Sequence, residues 1–550
     1  MTSKQKFPVS DVTATSGYFS ALKATVETAF YGNNVQAVTT IAAAYALAKK
    51  APGVIVTDLP VQHASELGLP EDARVLVAND GQVVGRTAAA RRIIGQPGID
   101  TAELTKIARE AVFAGTRKSF LSGHVVVGLS ADFAVEAHLM VPETYANNLY
   151  TYLLNFQIKT PEATQQYEQS RPLPEDDLYL YADPDWHHPD YPDGLAIFDP
   201  LHNAAIILGL RYFGELKKGT LTLAWATAHR NGFVACHGGM KQYQRQDGTF
   251  TMAAFGLSGS GKSTITLTSH GDRYPVKVLH DDAFVIDRQT GATTALEPAY
   301  FDKTQDYPMS DPNTRYFLTV QNVGVTLDDH GKKTLVTQDI RNGNGRTVKS
   351  RYVTPNRVDH LVESVDAIFW IMKDDALPPV VKVEDPSLAA AFGATLATKR
   401  STAENVRADV DREQLVIEPF ANPFRSYPLG EDYQDFYDLF QQRGMACYIL
   451  NTGFFQGQKV KPSDTLDAIA AIVDGTAVFK PFGPLPAMRY LSLPSFAVDF
   501  SDSAYRALLR QRLDDRLTFL ADKATVADGY DRLPLAATQA LEKVAAALVE

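Results

Sequence analysis

The spacing of apolar residues along the chain predicts helices near both ends and short strands between them. Residues 18–50 carry Ala and Leu at helical spacing, and the tail from about residue 503 repeats this pattern with Ala, Leu and Arg. Short apolar runs within 54–95, and two more around a turn at 122–141, are typical of strands. Three further runs are apolar enough to predict buried strands: 205–208, 365–372 and 444–453.

The secondary structure of two further stretches is predicted from their composition as well as from the spacing of their apolar residues. Residues 160–195 are rich in Pro, Asp and Tyr and predict a long loop, whereas 215–255 predicts alternating strands and turns. From residue 253 to about 290 the pattern becomes strand, Gly-rich turn, helix and strand, as in α/β proteins. The sequence therefore predicts an α/β fold with a boundary near residue 240, which gives domains 1–240 and 241–550.

Composition narrows the class of protein. A chain of 550 residues with 45% apolar and 21% charged residues is typical of a globular protein of two or three domains. The net charge of −11 argues against broad nucleic-acid binding. The opening segment "MTSKQKFPVSDVTATSG" contains no apolar core of a signal peptide, and the most apolar early run, "IAAAYALA", is far short of the roughly 20 residues of a membrane span. Two cysteines indicate a reducing compartment. We expect a cytoplasmic monomer or small homo-oligomer that binds neither nucleic acid nor membrane.

The segment "GLSGSGKST" at 256–264 carries the strongest chemical signal. Gly256, Gly261, Lys262 and Ser263 fit the spacing G-x-x-x-x-G-K-[ST], in which glycines let backbone N–H groups turn towards phosphate oxygens. Such a lysine reaches the β- and γ-phosphates, and such a serine hydroxyl binds Mg²⁺. An apolar strand candidate before the glycines and a helix candidate after them favour a phosphate loop over an ordinary Gly-rich turn.

Paired carboxylates follow this loop closely. The strand candidate "VKVLHDDAFVID" at 276–287 places Asp281 and Asp282 behind an apolar run, where α/β sheets bind ligands. Two carboxylates beside bound triphosphate indicate a divalent metal site. Because Asp also favours turns at strand ends, a purely structural role remains open.

An ordered series of segments resembles the ATP-dependent phosphoenolpyruvate carboxykinase family over roughly residues 80–480. The loop and the "HDD" motif belong to this series, and their order along the chain is more specific than any single member. The other matching segments are "RYFGELKKG" at 211–219, "LEPAYFDK" at 296–303, "DALPPVVKV" at 375–383 and "LNTGFFQG" at 450–457.

The resemblance implies a fold and a reaction. Members of the family pair an N-terminal α/β domain with a C-terminal P-loop mononucleotide-binding domain. They convert oxaloacetate and ATP into phosphoenolpyruvate, ADP and CO₂, with Mn²⁺ and Mg²⁺ as metal ions. We therefore expect a two-domain carboxykinase-like fold, with oxaloacetate and ATP as the small-molecule partners.

The resemblance also implies roles for catalytic residues. Arg86, in "VVGRT", holds the substrate carboxylate, and Tyr212 flanks substrate or CO₂. Lys217 supplies positive charge near the enolate, and Arg346, in "GNGR", contacts the transferring phosphate together with Lys262.

The implied ligand sets complete the predicted site. Lys218, His237 and Asp282 hold a catalytic Mn²⁺, and Ser263 binds the metal of the nucleotide. Lysine ligates a metal only as a neutral amine, so Lys218 needs a lowered pKa, which the ion and cationic Lys217 provide. The residues that hold ATP are Gly256, Ser258, Gly259, Ser260, Gly261, Lys262, Ser263, Thr264 and Asp281.

The flanking residues differ from the family pattern and keep other interpretations open. "TAAARR" follows Arg86, "GGMK" follows His237, and Ala283 follows the paired aspartates, at positions where the family carries polar residues. Taken singly, the lysine pair could form a solvated turn and His237 could close a strand. Two other functions therefore remain: a kinase or phosphatase acting on another small acid or a protein hydroxyl, and a nucleotide-binding regulatory protein.

Overall fold

The chain folds into two compact units. The computed structural model describes residues 10, 13, 18–79, 90–257, 259–338, 344–399 and 415–548. Unit 1 comprises the described residues up to Asn231 together with Thr294–Pro355; unit 2 comprises Gly232–Thr293 and the described residues from Asn356 onward. The sequence predicts a single domain boundary near residue 240. In the structure the chain enters each unit more than once, because the residues after Thr293 pack within unit 1 again.

Strands and helices are interspersed through the described residues. Up to Asn231 the elements are α1 Ala21–Ala29, β1 Val35–Val38, α2 Ile41–Ala48, β2 Ile55–Pro60, β3 Arg74–Ala78, β4 Arg91–Ile93, α3 Thr101–Gly115, β5 Phe120–Val127, β6 Val135–Pro142, α4 Ala146–Asn155, β7 Gln157–Ile158, α5 Pro161–Glu168, β8 Leu178–Asp183, β9 Leu195–Asp199, β10 Ala204–Leu208 and α6 Phe213–Arg230. From Gly232 to Pro355 they are β11 Phe233–His237, β12 Gly239–Arg245, β13 Gly248–Phe255, α7 Lys262–Leu267, β14 Val276–His280, β15 Ala283–Asp287, β16 Thr293–Ala295, β17 Tyr300–Lys303, β18 Phe317–Gln321, β19 Gly324–Leu327, β20 Lys333–Val336 and β21 Arg346–Lys349. From Asn356 they are β22 His360–Leu361, β23 Ala367–Met372, β24 Val380–Val383, α8 Pro386–Ala394, β25 Ala397–Lys399, β26 Leu415–Ile417, α9 Leu429–Arg443, β27 Ala446–Asn451, β28 Phe454–Phe455, β29 Gln458–Lys459, α10 Pro462–Val473, β30 Phe479–Pro481, β31 Met488–Leu491, α11 Ser503–Thr525 and α12 Leu535–Ala546.

Unit 1 is built on a mixed sheet in the order β1-β5-β6-β8-β10-β9-β4, with β7 also paired to β5. Its central strands β8 and β10 are buried along their full length, as expected for strands that are covered on both faces. Helices α1 and α3 contribute apolar side chains to one core beside this sheet. A second sheet, in the order β17-β21-β18-β3-β2, carries the start of β21, where Arg346 lies.

Unit 2 is built on a sheet in the order β14-β12-β13-β23-β27-β24-β31-β30. Strands β13, β23 and β27 run parallel at its centre, so their carboxyl ends meet at one edge of the sheet. Every residue of β23 is buried, which confirms the strand predicted at 365–372. The phosphate loop leaves this edge directly after β13.

Three sequence-based assignments are wrong. The stretch 160–195 contains α5 and the central strand β8, because the short run of Leu and Tyr in β8 is masked by surrounding Pro and Asp. The stretch 215–255 begins with the long helix α6 rather than with strands. Fifteen of the eighteen residues of α6 are buried, so no polar face reveals the helical period. Strand β1 also interrupts the helices predicted within 18–50.

The remaining predicted elements agree with the structure. Strands β5, β6, β10 and β27 and helices α11 and α12 lie where apolar spacing placed them, and the α/β fold class is confirmed. Among the residues that the structure describes, no helix combines the length and hydropathy needed to cross a membrane.

Candidate active site

The phosphate loop has a backbone that its glycines permit. Gly259 and Gly261 adopt positive φ angles of 81° and 96°, a region that glycine enters at little cost. At Gly256 a Cβ atom would lie 2.4 Å from Ser260 Oγ, so this position accepts no side chain without rearrangement. The backbone N–H of Ser260 donates to the Leu257 carbonyl at 3.0 Å and closes the turn. Ser258, also predicted to bind nucleotide, lies outside the described residues.

The loop presents polar groups to solvent where α7 begins. Gly261 is the N-cap of α7, and Ser263 and Thr264 in its first turn are exposed. Lys262 is buried, and its Nζ lies 3.7 Å from Asp282 Oδ1. This arrangement can hold an anion between backbone N–H groups, a hydroxyl and an ammonium group.

Lys241, on β12, supports the loop from behind. Its Nζ donates to the carbonyls of Ile265 at 2.7 Å and Thr268 at 2.8 Å, at the end of α7. Burial lowers the pKa of Lys241 to about 7. Directly after β27, the Thr452 hydroxyl donates to the Ser260 carbonyl at 2.9 Å. Two side chains that the sequence motif does not contain therefore position the loop.

We expect Lys241 to make stability depend on pH. Between about pH 7 and pH 10.5 the folded state binds fewer protons at Lys241 than the unfolded state, so the unfolding free energy rises with pH. Lys241→Met removes this contribution, which is up to about 1.4 kcal/mol per pH unit. Urea unfolding at pH 7 and pH 9 measures it, with exposed Lys277→Met on β14 as the matched control. Equal pH slopes for wild type and Lys241→Met would contradict the expectation.

His237 and Asp282 meet at the ends of two paired strands. Strands β11 and β15 are antiparallel with His237 opposite Ala283, and the Gly238 N–H donates to the Asp282 carbonyl at 3.0 Å. His237 Nε2 lies 3.0 Å from Asp282 Oδ1. On its other side, His237 Nδ1 donates to the Ala421 carbonyl at 2.5 Å. A proton on Nδ1 leaves the Nε2 lone pair directed towards Asp282.

This pair fits a divalent metal ion by its donor chemistry. An imidazole nitrogen whose other nitrogen is held by a carbonyl, together with a carboxylate, is a recurring metal-binding arrangement. Asp281, the first of the paired aspartates, is buried, whereas Asp282 is half-buried. The imidazole Nδ1 of His280 accepts the N–H groups of Asp282 at 3.0 Å and Ala283 at 3.2 Å, which fixes the turn.

The predicted substrate-side residues lie in unit 1. Tyr212 is the N-cap of α6 and is half-buried, and Lys217 follows within the helix. Lys217 Nζ lies 2.9 Å from Glu297 Oε1, and both side chains are fully buried. The other Glu297 oxygen, Oε2, accepts from Asn155 Nδ2 at 2.7 Å. Lys217 is therefore a fixed, ion-paired charge and not part of a solvated turn.

Lys218 and Arg346 differ from Lys217 in exposure. Both are half-buried; Lys218 Nζ lies 5.8 Å from the centre of the Trp225 ring, and Arg346 begins β21. Lys218 belongs to unit 1, whereas His237 and Asp282 belong to unit 2. Arg86, predicted to hold the substrate carboxylate, lies outside the described residues.

A buried ion pair stands at the other end of β21. Lys349 Nζ lies 2.5 Å from Asp302 Oδ2 and donates to the Tyr307 hydroxyl at 2.6 Å. Burial raises the pKa of Asp302, but Lys349 outweighs this and holds the pKa below its usual value. Both carboxylates of the "LEPAYFDK" segment, Glu297 and Asp302, thus pair with a buried lysine of unit 1.

Sequence reasoning missed the residues that support the predicted ones. Glu297 belongs to the quoted segment "LEPAYFDK", but its partner Lys217 lies in a distant segment of the chain, and the Ala421 carbonyl lies 184 residues after its partner His237. Unit 1 also contains a cavity of about 300 Å³ near the start of α6. Its polar lining includes Asn79, Asn148, Arg211 and Gln321. Arg211 stands directly before Tyr212 in the quoted segment "RYFGELKKG", although nothing in the sequence assigned it a role.

Unit 2 carries the phosphate loop directly after a central parallel strand, together with a His–Asp pair. This combination defines the class of α/β P-loop nucleotide-binding proteins. A family model described as phosphoenolpyruvate carboxykinase matches residues 64–490, which is more than half of the chain. The chain therefore belongs to the ATP-dependent phosphoenolpyruvate carboxykinase family.

Two relatives support this assignment at low identity. The chain is 27% identical over 297 residues to phosphoenolpyruvate carboxykinase (ATP) of Aeropyrum pernix, covering 52% of this chain. It is 26% identical over 465 residues to the protein of the same name from Eremothecium gossypii, covering 76% of this chain. The chain spans 59% of the length of the first relative and 80% of the second.

Proposed function

We propose that this chain converts oxaloacetate and ATP into phosphoenolpyruvate, ADP and CO₂. The observation that carries the proposal is the convergence of Lys262 and His237 on Asp282 beside a phosphate loop, in a chain of the carboxykinase family. A protein that only binds nucleotide has no use for this pair beside its loop.

We also propose a cytoplasmic monomer or small homo-oligomer, on the composition alone.

The loop residues bind and orient the triphosphate. Gly256, Gly259 and Gly261 let the backbone approach phosphate oxygens, and Ser260 and Thr264 add polar groups to the same cradle. Lys262 neutralises charge on the transferring phosphoryl group, and phosphoryl transfer depends mainly on such positioning and neutralisation. Ser263 offers its exposed hydroxyl to Mg²⁺, and Asp281 lies behind as a buried carboxylate.

Metal binding in unit 2 rests on His237 Nε2 and the Asp282 carboxylate. A nitrogen and an oxygen ligand suit Mn²⁺ better than Mg²⁺, which prefers oxygen ligands alone. When bound, the ion supplies positive charge where negative charge develops. Lys218 as a further ligand stays a prediction from the family resemblance.

The unit 1 residues act on the oxaloacetate half of the reaction. Loss of CO₂ leaves an enolate, and preorganised positive charge lowers the free energy of such an oxyanion. Lys217 provides a charge whose position Glu297 fixes at 2.9 Å. Tyr212 flanks the substrate at the start of α6, Arg346 contacts the phosphate, and Arg86 holds the substrate carboxylate. The enolate oxygen then attacks the γ-phosphorus, and ADP leaves.

The test is a coupled assay for phosphoenolpyruvate with ADP release followed in parallel. Purified chain receives oxaloacetate, ATP, Mg²⁺ and Mn²⁺, and we expect equal amounts of phosphoenolpyruvate and ADP. ADP without phosphoenolpyruvate would point to a kinase or phosphatase with another acceptor. ATP binding without any ADP release would favour a nucleotide-binding regulatory protein.

We expect His237→Gln to weaken activation by Mn²⁺ by at least about 10- to 100-fold, the loss typical of changing a residue that merely supports a metal ligand. The change removes the Nε2 ligand but keeps a polar side chain of similar size. Activity as a function of Mn²⁺ concentration, at saturating ATP and Mg²⁺, measures the effect. Exposed His330→Gln is the control. An unchanged Mn²⁺ response in His237→Gln would remove His237 from the site.

A further inference from the structure

Four side chains with metal-binding chemistry share one face of the unit 1 sheet. His124 on β5 lies directly opposite His138 on β6, and Glu136 precedes His138 by two residues on the same face. Strand β8 pairs with β6 on its other side, with Tyr179 opposite His138. Asp177, two residues before Tyr179, therefore lies beside Glu136. Three neighbouring strands thus bring two imidazoles and two carboxylates together, outside the site described above.

The four side chains converge closely. One ligand atom from each lies within 4.8 Å of the others. His124 Nε2 is 2.8 Å from Glu136 Oε2, and His138 Nε2 is 2.9 Å from Asp177 Oδ2. The two imidazole rings stack with their centroids 4.0 Å apart. Both nitrogens that face the carboxylates are Nε2 atoms.

The carboxylates are buried while the histidines reach the surface. The side chains of Glu136 and Asp177 are 2% and 0% exposed, whereas those of His124 and His138 are 31% and 17% exposed. Buried charges of this kind are normally paired, hydrogen-bonded or bound to a metal. The histidines are thus the members of the cluster that contact solvent.

The contact between His124 and Glu136 is close but not a well-formed hydrogen bond. Within the described part of the chain, neither His124 Nε2 nor Glu136 Oε2 completes a hydrogen bond, although 2.8 Å separates them. Glu136 is 2% exposed, and its other oxygen, Oε1, pairs with Lys159. A carboxylate oxygen and an imidazole nitrogen are thus buried together with their hydrogen-bonding capacity unused.

The protonation states favour metal ligation. Burial raises the pKa of Glu136, but its contacts with His124 and Lys159 outweigh this and hold the pKa at about 2. Burial lowers the pKa of His138, which favours the neutral imidazole. A metal ion requires an ionised carboxylate and a neutral imidazole, which are the forms that these shifts favour for Glu136 and His138.

We propose that His124, Glu136, His138 and Asp177 bind a divalent transition-metal ion, with Zn²⁺ preferred. Two nitrogens and two oxygens suit four-coordinate Zn²⁺, whose bonds to such ligands are about 2.0–2.2 Å long. In tetrahedral geometry, ligand atoms at these bond lengths lie about 3.3–3.6 Å apart, so the most widely separated ligand atoms of the cluster approach each other by about 1 Å on binding. The ion links β5, β6 and β8 and thereby stabilises the sheet of unit 1.

Zinc titration of the full chain after removal of metals by a chelator tests the site. We expect the wild-type chain to bind one more Zn²⁺ than His124→Gln/His138→Gln, or to bind that ion at least about 100-fold more tightly. Zn²⁺ is also expected to raise the unfolding temperature of wild type but not of the double variant. His202→Gln is the matched control, because among the described residues His202 pairs with a single carboxylate, Asp199 at 2.8 Å. Equal stoichiometry and affinity in wild type and double variant would overturn the proposal.

A footprint on the wild-type chain decides the question even if the double variant does not fold. Diethyl pyrocarbonate modifies accessible neutral imidazoles, and mass spectrometry locates the modified residues. We expect Zn²⁺ to protect His124 and His138 while exposed His330 stays reactive. Equal modification of His124 and His138 with and without Zn²⁺ would overturn the proposal. Neither the zinc titration nor the footprint measures phosphoenolpyruvate formation. Their results are therefore independent of the proposed reaction.

Discussion

Lys262→Met is expected to lower kcat for phosphoenolpyruvate formation by about 100- to 1000-fold while the chain stays folded. Removing one preorganised group that stabilises developing charge has an effect of this size. Lys262 follows Gly261 at the start of α7, and its Nζ lies 3.7 Å from Asp282, on the side where the His–Asp pair converges. The substitution keeps the aliphatic stem that is buried there and removes only the ammonium group.

The control for Lys262→Met is the same change at Lys277, an exposed lysine on β14 of the same unit. We expect Lys277→Met to keep wild-type kcat. Calorimetry with ATP and Mg²⁺ separates binding from chemistry, because a lost charge-assisted contact weakens ATP binding by about 1.5–3 kcal/mol. Wild-type kcat and ATP affinity in Lys262→Met would remove this lysine from the site.

Lys217→Met is expected to lower the unfolding free energy by about 3–5 kcal/mol, besides reducing activity. The change leaves Glu297 as a fully buried carboxylate without its ion-pair partner, and breaking a buried pair on one side has this effect. Chemical denaturation of wild type and variant at neutral pH measures it. Lys106→Met is the matched control, because Lys106 forms an exposed pair with Glu103 at 3.9 Å, worth at most about 1 kcal/mol.

The double variant Lys217→Met/Glu297→Gln separates the structural role of Lys217 from its catalytic one. Neutralising both partners removes the uncompensated charge, so we expect most of the unfolding free energy to return. Activity is not expected to return, because the positive charge proposed to face the enolate is still missing. Recovery of both stability and activity in the double variant would assign Lys217 a structural role alone.

The sequence predicted those parts of the candidate site whose geometry depends on residues close together in the chain. The phosphate loop depends on glycines and a lysine at fixed spacing, and Gly259 and Gly261 show the positive φ angles that such a loop needs. Asp282 was a candidate ligand from its place behind an apolar strand, whereas His237 came from the family resemblance, since one histidine in "VACHGGMK" carries no independent signal. The structure shows the two in contact at 3.0 Å, whereas their role in metal binding remains a proposal.

Supporting contacts were not predictable, because they join distant parts of the chain. The carbonyl that holds His237 belongs to Ala421, 184 residues later, in a segment with positive φ angles. No residue near Lys217 in the sequence indicates that Glu297 is its ion-pair partner. Whether a buried lysine is paired depends on which side chain packs against it, and that is decided when the elements assemble.

By itself, the sequence determined the family, the α/β class, the phosphate loop and the strands with continuous apolar runs such as β23. The family follows from the ordered series of segments that resembles it, whereas the fold class, the loop and the strands follow from backbone requirements and apolar patterns that neighbouring residues satisfy locally. Tertiary structure alone decided that α6 is a helix, that β8 is a central strand, and that the chain returns to unit 1 after Thr293. It also brought His124, Glu136, His138 and Asp177 together, because register between three strands, rather than spacing along one, sets which side chains meet.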